Sequence, residues 1–376
     1  MGNPILNAVR ELREGNPLFV DRKNKNRYMV VAGEEDGSKT AYCFAVPVYD
    51  RNRKLINLKF CKNGNEYIAE GSNCKVKVTE GFTFENADGK FFVNPIDGFE
   101  MKSAFDTVIH GNSCIVSPTL NGLVFKARCI NGKYTFRLHT DRLSFEIKEN
   151  GKYFSILKDA MRPIITVSCI GCADNTGRVI APAILEYYAE SQDCFVISVV
   201  SHCSYSTYVA FEINMYDRKL FQDTTVETEN PDVNNVYGGT AFVGKTDLFG
   251  EQWLYSRPDF SCISDITQKE IKKVILHLSQ FNKGPTLSVY RIENRFCSFG
   301  SNWNNKVKES GILKQFIQGD FRQSVDLTEL LVDPLTGRLK PSHGFLIKIA
   351  VRDSGFSVMS TGDSFFAPLI IEINYR

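Results

Sequence analysis

Alternation of apolar and polar positions dominates this chain from residue 28 onward. The runs "NCKVKVT", "FTFE", "GLVFKAR" and "KYTFRLHT" place every second apolar side chain on one face, the mark of a half-buried strand. Turn chemistry separates the runs: "EEDGS", "KNGN", "NADGK", "ENG" and "GCADNTGR" gather Gly, Asn and Asp, residues that reverse a chain at low steric cost. The first stretch, "NPILNAVRELREGN", is the best candidate for a helix. Ile5, Leu6, Val9 and Leu12 share a face there, and Gly15 supplies a stop. Two further short helices are predicted, "SDITQKEIKK", capped by Ser264 or Asp265, and "KESGILKQFI".

The strands fall into three groups behind an N-terminal arm or short helix at residues 1–20. The groups are 21–96, 97–218 and 219–376, with boundaries near Pro95–Gly98 and Asp217–Leu220. Spacing of roughly 8–12 residues between turn signals predicts β-sandwiches. About eight strands in the last group suit a jelly roll. The expected fold is therefore all-β, with tandem β-sandwich domains and a jelly-roll-like C-terminal one. "PLIIEINY" should lie inside a sheet with Leu369, Ile371 and Ile373 on one face.

Composition adds to this picture without redirecting it. Of 376 residues, 28 are Phe and 15 Tyr but only 2 Trp, a mix that fits pleated surfaces. Basic and acidic residues number 45 and 43 and are interspersed, so no charge stripe points to nucleic acid or to a membrane surface. No apolar run reaches spanning length. Charges at Arg10, Glu11, Arg13 and Glu14 interrupt the N-terminal segment, which predicts cytoplasmic synthesis without a signal peptide. Gly2 is followed by Leu6 rather than the Ser or Thr of a myristoylation signal. The eleven cysteines sit mostly in apolar strand-like runs, as reduced, buried thiols do. The pair Cys169 and Cys172 is a candidate for cross-links between subunits.

The spacing of residues carries few of the motifs that chemistry requires. Neither G-x-G-x-x-G, G-x-x-x-x-G-K-[ST] nor G-x-S-x-G occurs, and the five histidines form no H-E-x-x-H. His277 reads as a strand residue. Cys169 and Cys172 make one C-x-x-C without the second ligand pair that zinc needs. The acidic loops at 34–38, 229–235 and 360–364 are the places where a calcium ion could sit, although none fits the D-x-[DN]-x-[DN]-G loop; solvated turns are the default. No cofactor is expected. No pair of carboxylates stands out for glycoside hydrolysis. Exposed aromatic rings can serve as sugar platforms, and the candidates are Trp303, Trp253 and Tyr255. The alternation in "EQWLYS" puts the last two on one sheet face, where packing competes with that role.

The order of segments in 219–376 resembles the DNRLRE-type domain, a β-sandwich found on bacterial surface and polysaccharide-processing proteins. "DTTVETENPDVNNVYGGTAFVG", "EQWLYSRPDF", "IKKVILHLSQF…LSVYRI", "SVDLTELL…HGFLIKI" and "VMSTGDSFFAPLIIEINY" follow that domain's strand order. "AYCFAVPVYDRNRKLINL", "GLVFKARCINGKYTFRLHTDRLSFE" and "RPIITVSCIGCADNTGR" resemble the β-rich shell before RHS repeats in clostridial wall-associated proteins. A Trp-Gly type motif is absent at "KLINL", and no RHS repeat follows. The resemblance implies a domain that closes on its last strand. It also implies a non-enzymatic structural or adhesive building block that pairs with itself or with other shell proteins on a spore, particle or cell surface. A carbohydrate-binding module with polysaccharide as partner is the alternative, and a polysaccharide hydrolase or lyase ranks below it.

Overall fold

A computed structural model describes residues 3–24, 26–142, 144–159, 161–204, 208–216, 218–279, 284–316, 322–350, 354–360 and 369–376. Among these, strands form four antiparallel sheets of six, nine, eight and seven strands. The expectation of an all-β protein with a short N-terminal helix holds. No helix among the described residues is long and apolar enough to cross a membrane.

The chain divides into two compact units. One comprises Met1–Leu55, Arg218–Val236 and Ala241–Arg376, and the other Ile56–Asp217 and Tyr237–Thr240. This division differs from the expected one and cuts through the 21–96 segment. Strand Lys39–Phe44 pairs with Ile370–Tyr375 across the whole sequence, from Lys39 opposite Tyr375 to Phe44 opposite Ile370. Strand Gly89–Pro95 pairs with Lys133–Thr140, so the boundary at 96/97 falls inside a sheet. Local turn signals mark where strands end but carry no information on distant pairing. The C-terminal sandwich is therefore completed by N-terminal strands.

In the first unit the six- and seven-stranded sheets enclose one core. Met29, Val31, Ala41, Cys43, Leu276, Ile371 and Ile373 come from one sheet, and Phe221, Leu254, Val289, Phe345 and Ile347 from the other. Strand Ile370–Tyr375 lies between Lys39–Phe44 and Ile271–Ser279. Leu369, Ile371 and Ile373 all join the core, as their alternation predicts. In the second unit the eight- and nine-stranded sheets meet over a phenylalanine stack. Phe125 and Phe211 sit directly opposite on neighbouring strands with parallel rings 4.8 Å apart. Phe136 of the facing sheet stacks on Phe211 at 5.4 Å.

The asparagine–glycine turns behave in two ways. Asn150–Gly151, with Gly151 at φ 77°, closes a hairpin between Glu146–Glu149 and Tyr153–Asp159. Asn131–Gly132 has φ of 51° and 80°, yet its flanking strands, Gly122–Arg128 and Lys133–Thr140, enter different sheets. Neither expected helix forms: "SDITQKE" is built of turns, and "IKK" opens the strand Ile271–Ser279. "ESGILKQ" is the strand Glu309–Gln315, and "KVILHLS" lies in the strand Ile271–Ser279, as its alternation predicts. Val274, Leu276 and Leu278 alternate into the core, as one face of a half-buried strand does. A short helix, Thr328–Leu331, instead occupies "TELL".

Candidate functional site

The N-terminal helix and the outer face of the six-stranded sheet form a polar cleft of about 360 Å³. Side-chain alternation builds its floor. Ala41 and Cys43 point into the core, and so do Ile371 and Ile373, which turns Thr40, Tyr42, Glu372 and Asn374 outward. Register sets Thr40 opposite Asn374 and Tyr42 opposite Glu372. Asn374 Nδ2 donates to Thr40 Oγ1 at 3.1 Å. Glu372 Oε2 lies 2.9 Å from His277 Nε2 on the next strand.

One wall is the turn at residues 34–38. Asp36 Oδ1 accepts from Ser38 N at 3.0 Å, and Asp36 Oδ2 accepts from Lys272 Nζ at 2.8 Å. The other wall is the end of the helix Pro4–Leu12. Asn3 caps its start, its Oδ1 accepting from Ile5 N at 2.9 Å; Ile5 and Val9 are fully buried. These contacts fix the position of Arg13. Arg13 donates to both oxygens of Glu34 at 2.8 and 3.0 Å and to the Tyr42 hydroxyl at 3.3 Å. Such a two-pronged guanidinium–carboxylate pair combines charge with orientation. The Arg13 hydrogen bond holds Glu34 below the ordinary carboxylate range against the opposing effect of burial. Lys272 does the same for Asp36. Burial, with the Glu372 charge, pushes the Tyr42 phenol up to about 12. The lining of hydroxyls, amides and carboxylates suits a ligand rich in hydroxyl groups.

The tryptophan platform is organised differently from a sugar-binding surface. Trp253 and Tyr255 do share a face of strand Gly250–Pro258, but Tyr255 is fully buried and its hydroxyl donates to the Val307 carbonyl. A platform needs an open ring, so Tyr255 is excluded from that role. Trp253 and Trp303 are half-buried and tilt against each other at 4.8 Å. Lys306 Nζ sits 4.0 Å from the Trp303 ring centre, and Lys348 Nζ sits 4.7 Å from that of Trp253. Lys348 also pairs with Glu309 at 2.6 Å. Stacked ammonium groups stabilise such clusters and occupy ring surface that a sugar would use.

Cys169 and Cys172 lie in strand Arg162–Ala173 and are buried. Cys172 Sγ donates to the Pro182 carbonyl at 3.1 Å, and burial raises both thiol pKa values. A cross-link needs an accessible thiolate, so this pair cannot supply one; Cys61 and Cys297 are the exposed thiols. Among the described residues no group of three His, Cys, Asp or Glu could hold a metal ion. Asp36 is engaged as above, and Asp232 Oδ1 accepts from Asn304 Nδ2 at 2.8 Å. The third acidic loop, 360–364, lies outside the described residues apart from the backbone of residue 360.

Sequence reasoning missed Arg13, Tyr42, Glu372 and Asn374 as a set. The polar interruptions in "LIIEINY" were the available signal, because two polar side chains on one face of a central strand require a polar covering. No family model matches the chain, and a search of curated proteins finds no match.

Proposed function

We propose that this chain is a non-enzymatic structural or adhesive building block of a bacterial or phage surface assembly, such as a spore layer, a shell or a particle. It associates with copies of itself or with other shell proteins. One observation supports this above others: strand Ala183–Ser191 ends its sheet, runs for 9 residues, and is exposed from Glu186 to Ser191. The Gly151 carbonyl accepts from Leu185 N, which leaves residues 186–191 as the open stretch; open strand edges template association, and monomeric proteins normally shorten or cover them. Sedimentation velocity of the full chain under reducing conditions tests the reading. Species larger than the monomer that grow with concentration are expected. A monomer at every concentration up to about 100 μM, far above the range of specific association, overturns it.

The polar cleft favours a second reading, carbohydrate binding. Glycan-array binding that disappears in Tyr42→Phe and Glu372→Gln, and persists in Trp303→Ala, would place a sugar there. Absence of binding by the unaltered chain would remove this reading.

A further inference from the structure

The end strands of the four sheets differ in what they leave open. Phe19–Val20, Phe60–Asn63, Met101–Ala104 and Glu146–Glu149 have 2 to 4 residues each, and Arg322–Asp326 and Phe356–Ser360 have 5 each. Two longer edges stand apart, and they lie in different units.

The first is Ala183–Ser191. Leu185 N–H donates to the Gly151 carbonyl at 2.6 Å, on the side away from its sheet partner Cys194–Ser201. Backbone groups along an antiparallel strand face alternate sides, and the register is unbroken from Ala183 to Ala189. Tyr187 and Ala189 therefore turn N–H and C=O toward the open edge. Tyr188 is 58% exposed. Acidic side chains flank it: Glu186 is exposed, and Glu190 is bridged to Arg137 at 2.7 Å.

The second is Glu309–Gln315, the end strand of the seven-stranded sheet. Ser310, Gly311 and Ile312 are exposed, with Ile312 at 60%. Lys308 and Lys314 bring positive charge to it, the Lys314 Nζ donating to the Ser324 carbonyl at 2.8 Å, while its own Glu309 is paired with Lys348 at 2.6 Å.

We propose that these two edges pair with each other between molecules, so that Ala183–Ser191 of one copy adds as a strand to Glu309–Gln315 of a second copy. Backbone hydrogen bonds supply the adhesion. Glu186 against the lysines of the partner edge sets the choice of partner, because like charges across a strand pair are unfavourable. Two copies of the acidic edge would oppose carboxylates, and the mixed pairing avoids that. Since the two surfaces differ, the contact is head-to-tail and does not terminate at a dimer unless the rotation closes a ring.

This inference rests on the self-associating reading above, and the test separates the two. Glu186→Lys/Ala189→Lys blocks the first edge and Ile312→Asp blocks the second. All three positions are exposed, and unchanged circular dichroism melting confirms that each variant is folded. In sedimentation velocity with reductant, the unaltered chain should exceed dimer size. Each blocked variant alone should be monomeric, with association weakened at least tenfold. An equimolar mixture, which holds one intact edge of each kind, should form a 1:1 dimer and stop there. Assembly that survives both variants, a dimer sensitive only to the first, or a mixture that remains monomeric would overturn the edge pairing alone. A monomeric unaltered chain would overturn the functional reading with it.

Discussion

At the scale of single residues, burial decides which reactive groups are in play. The Cys172 thiol is enclosed by its own strand and the Pro182 carbonyl, while Cys61 and Cys297 face solvent. A polar disulfide reagent should label Cys61 and Cys297 quickly and reach Cys169 and Cys172 only after unfolding. Rapid native-state labelling of Cys169 or Cys172, located by peptide mass mapping, would contradict this burial. Lys152 gives a second residue-scale prediction. Burial lowers its pKa to about 7, whereas lysine in the unfolded chain titrates near 10.4. Between those values the unfolded chain binds more protons, so stability rises with pH across that window. Urea unfolding should show a gain of about 2 kcal/mol from pH 7 to 9, and Lys152→Met should flatten it. Equal slopes in the two proteins would refute the assignment. The alternation that buries Ile371 and Ile373 was legible in sequence, but the enclosure of Lys152 was not. A lysine after an Asn-Gly turn reads as exposed until distant strands are placed around it.

At the scale of elements, the N-terminal helix shows how a short amphipathic segment is secured. Nine residues are marginal as an isolated helix; the Asn3 cap, the buried Ile5 and Val9, and the Arg13–Glu34 pair hold this one. Arg13→Gln should cost about 2 kcal/mol, the usual range for a lost hydrogen bond to a charged group, as read from thermal unfolding at pH 7. The carboxylates give the sign of the acid response. Glu34 has a depressed folded pKa, so its contribution is complete above the ordinary range near pH 4.3 and fades as pH falls through the lowered value. In Arg13→Gln that acid-dependent loss should shrink, and an unchanged profile would exclude the pair as its source. The helix was visible from its spacing, whereas "ESGILKQ" was misread because Leu313, Lys314 and Gln315 are good helix formers. Pairing with Leu287–Ile292, interrupted by two irregularities in register, fixed the segment as a strand instead.

At the scale of the whole molecule, the fold class followed from period-two patterning, but the division into units did not. Residues 39–44 pair with residues 370–375, and no local signal announces a partner more than 300 positions away. The same limit hid the cleft, whose lining comes from the helix, a turn near its end and the last strand. The central claim is that these sheets serve assembly through their open edges. Negative-stain electron microscopy of the purified full chain, kept reduced so that Cys61 and Cys297 cannot cross-link, tests it most directly. Filaments, rings or sheets that vanish in Glu186→Lys/Ala189→Lys are the predicted result; isolated single molecules at all concentrations would contradict the account.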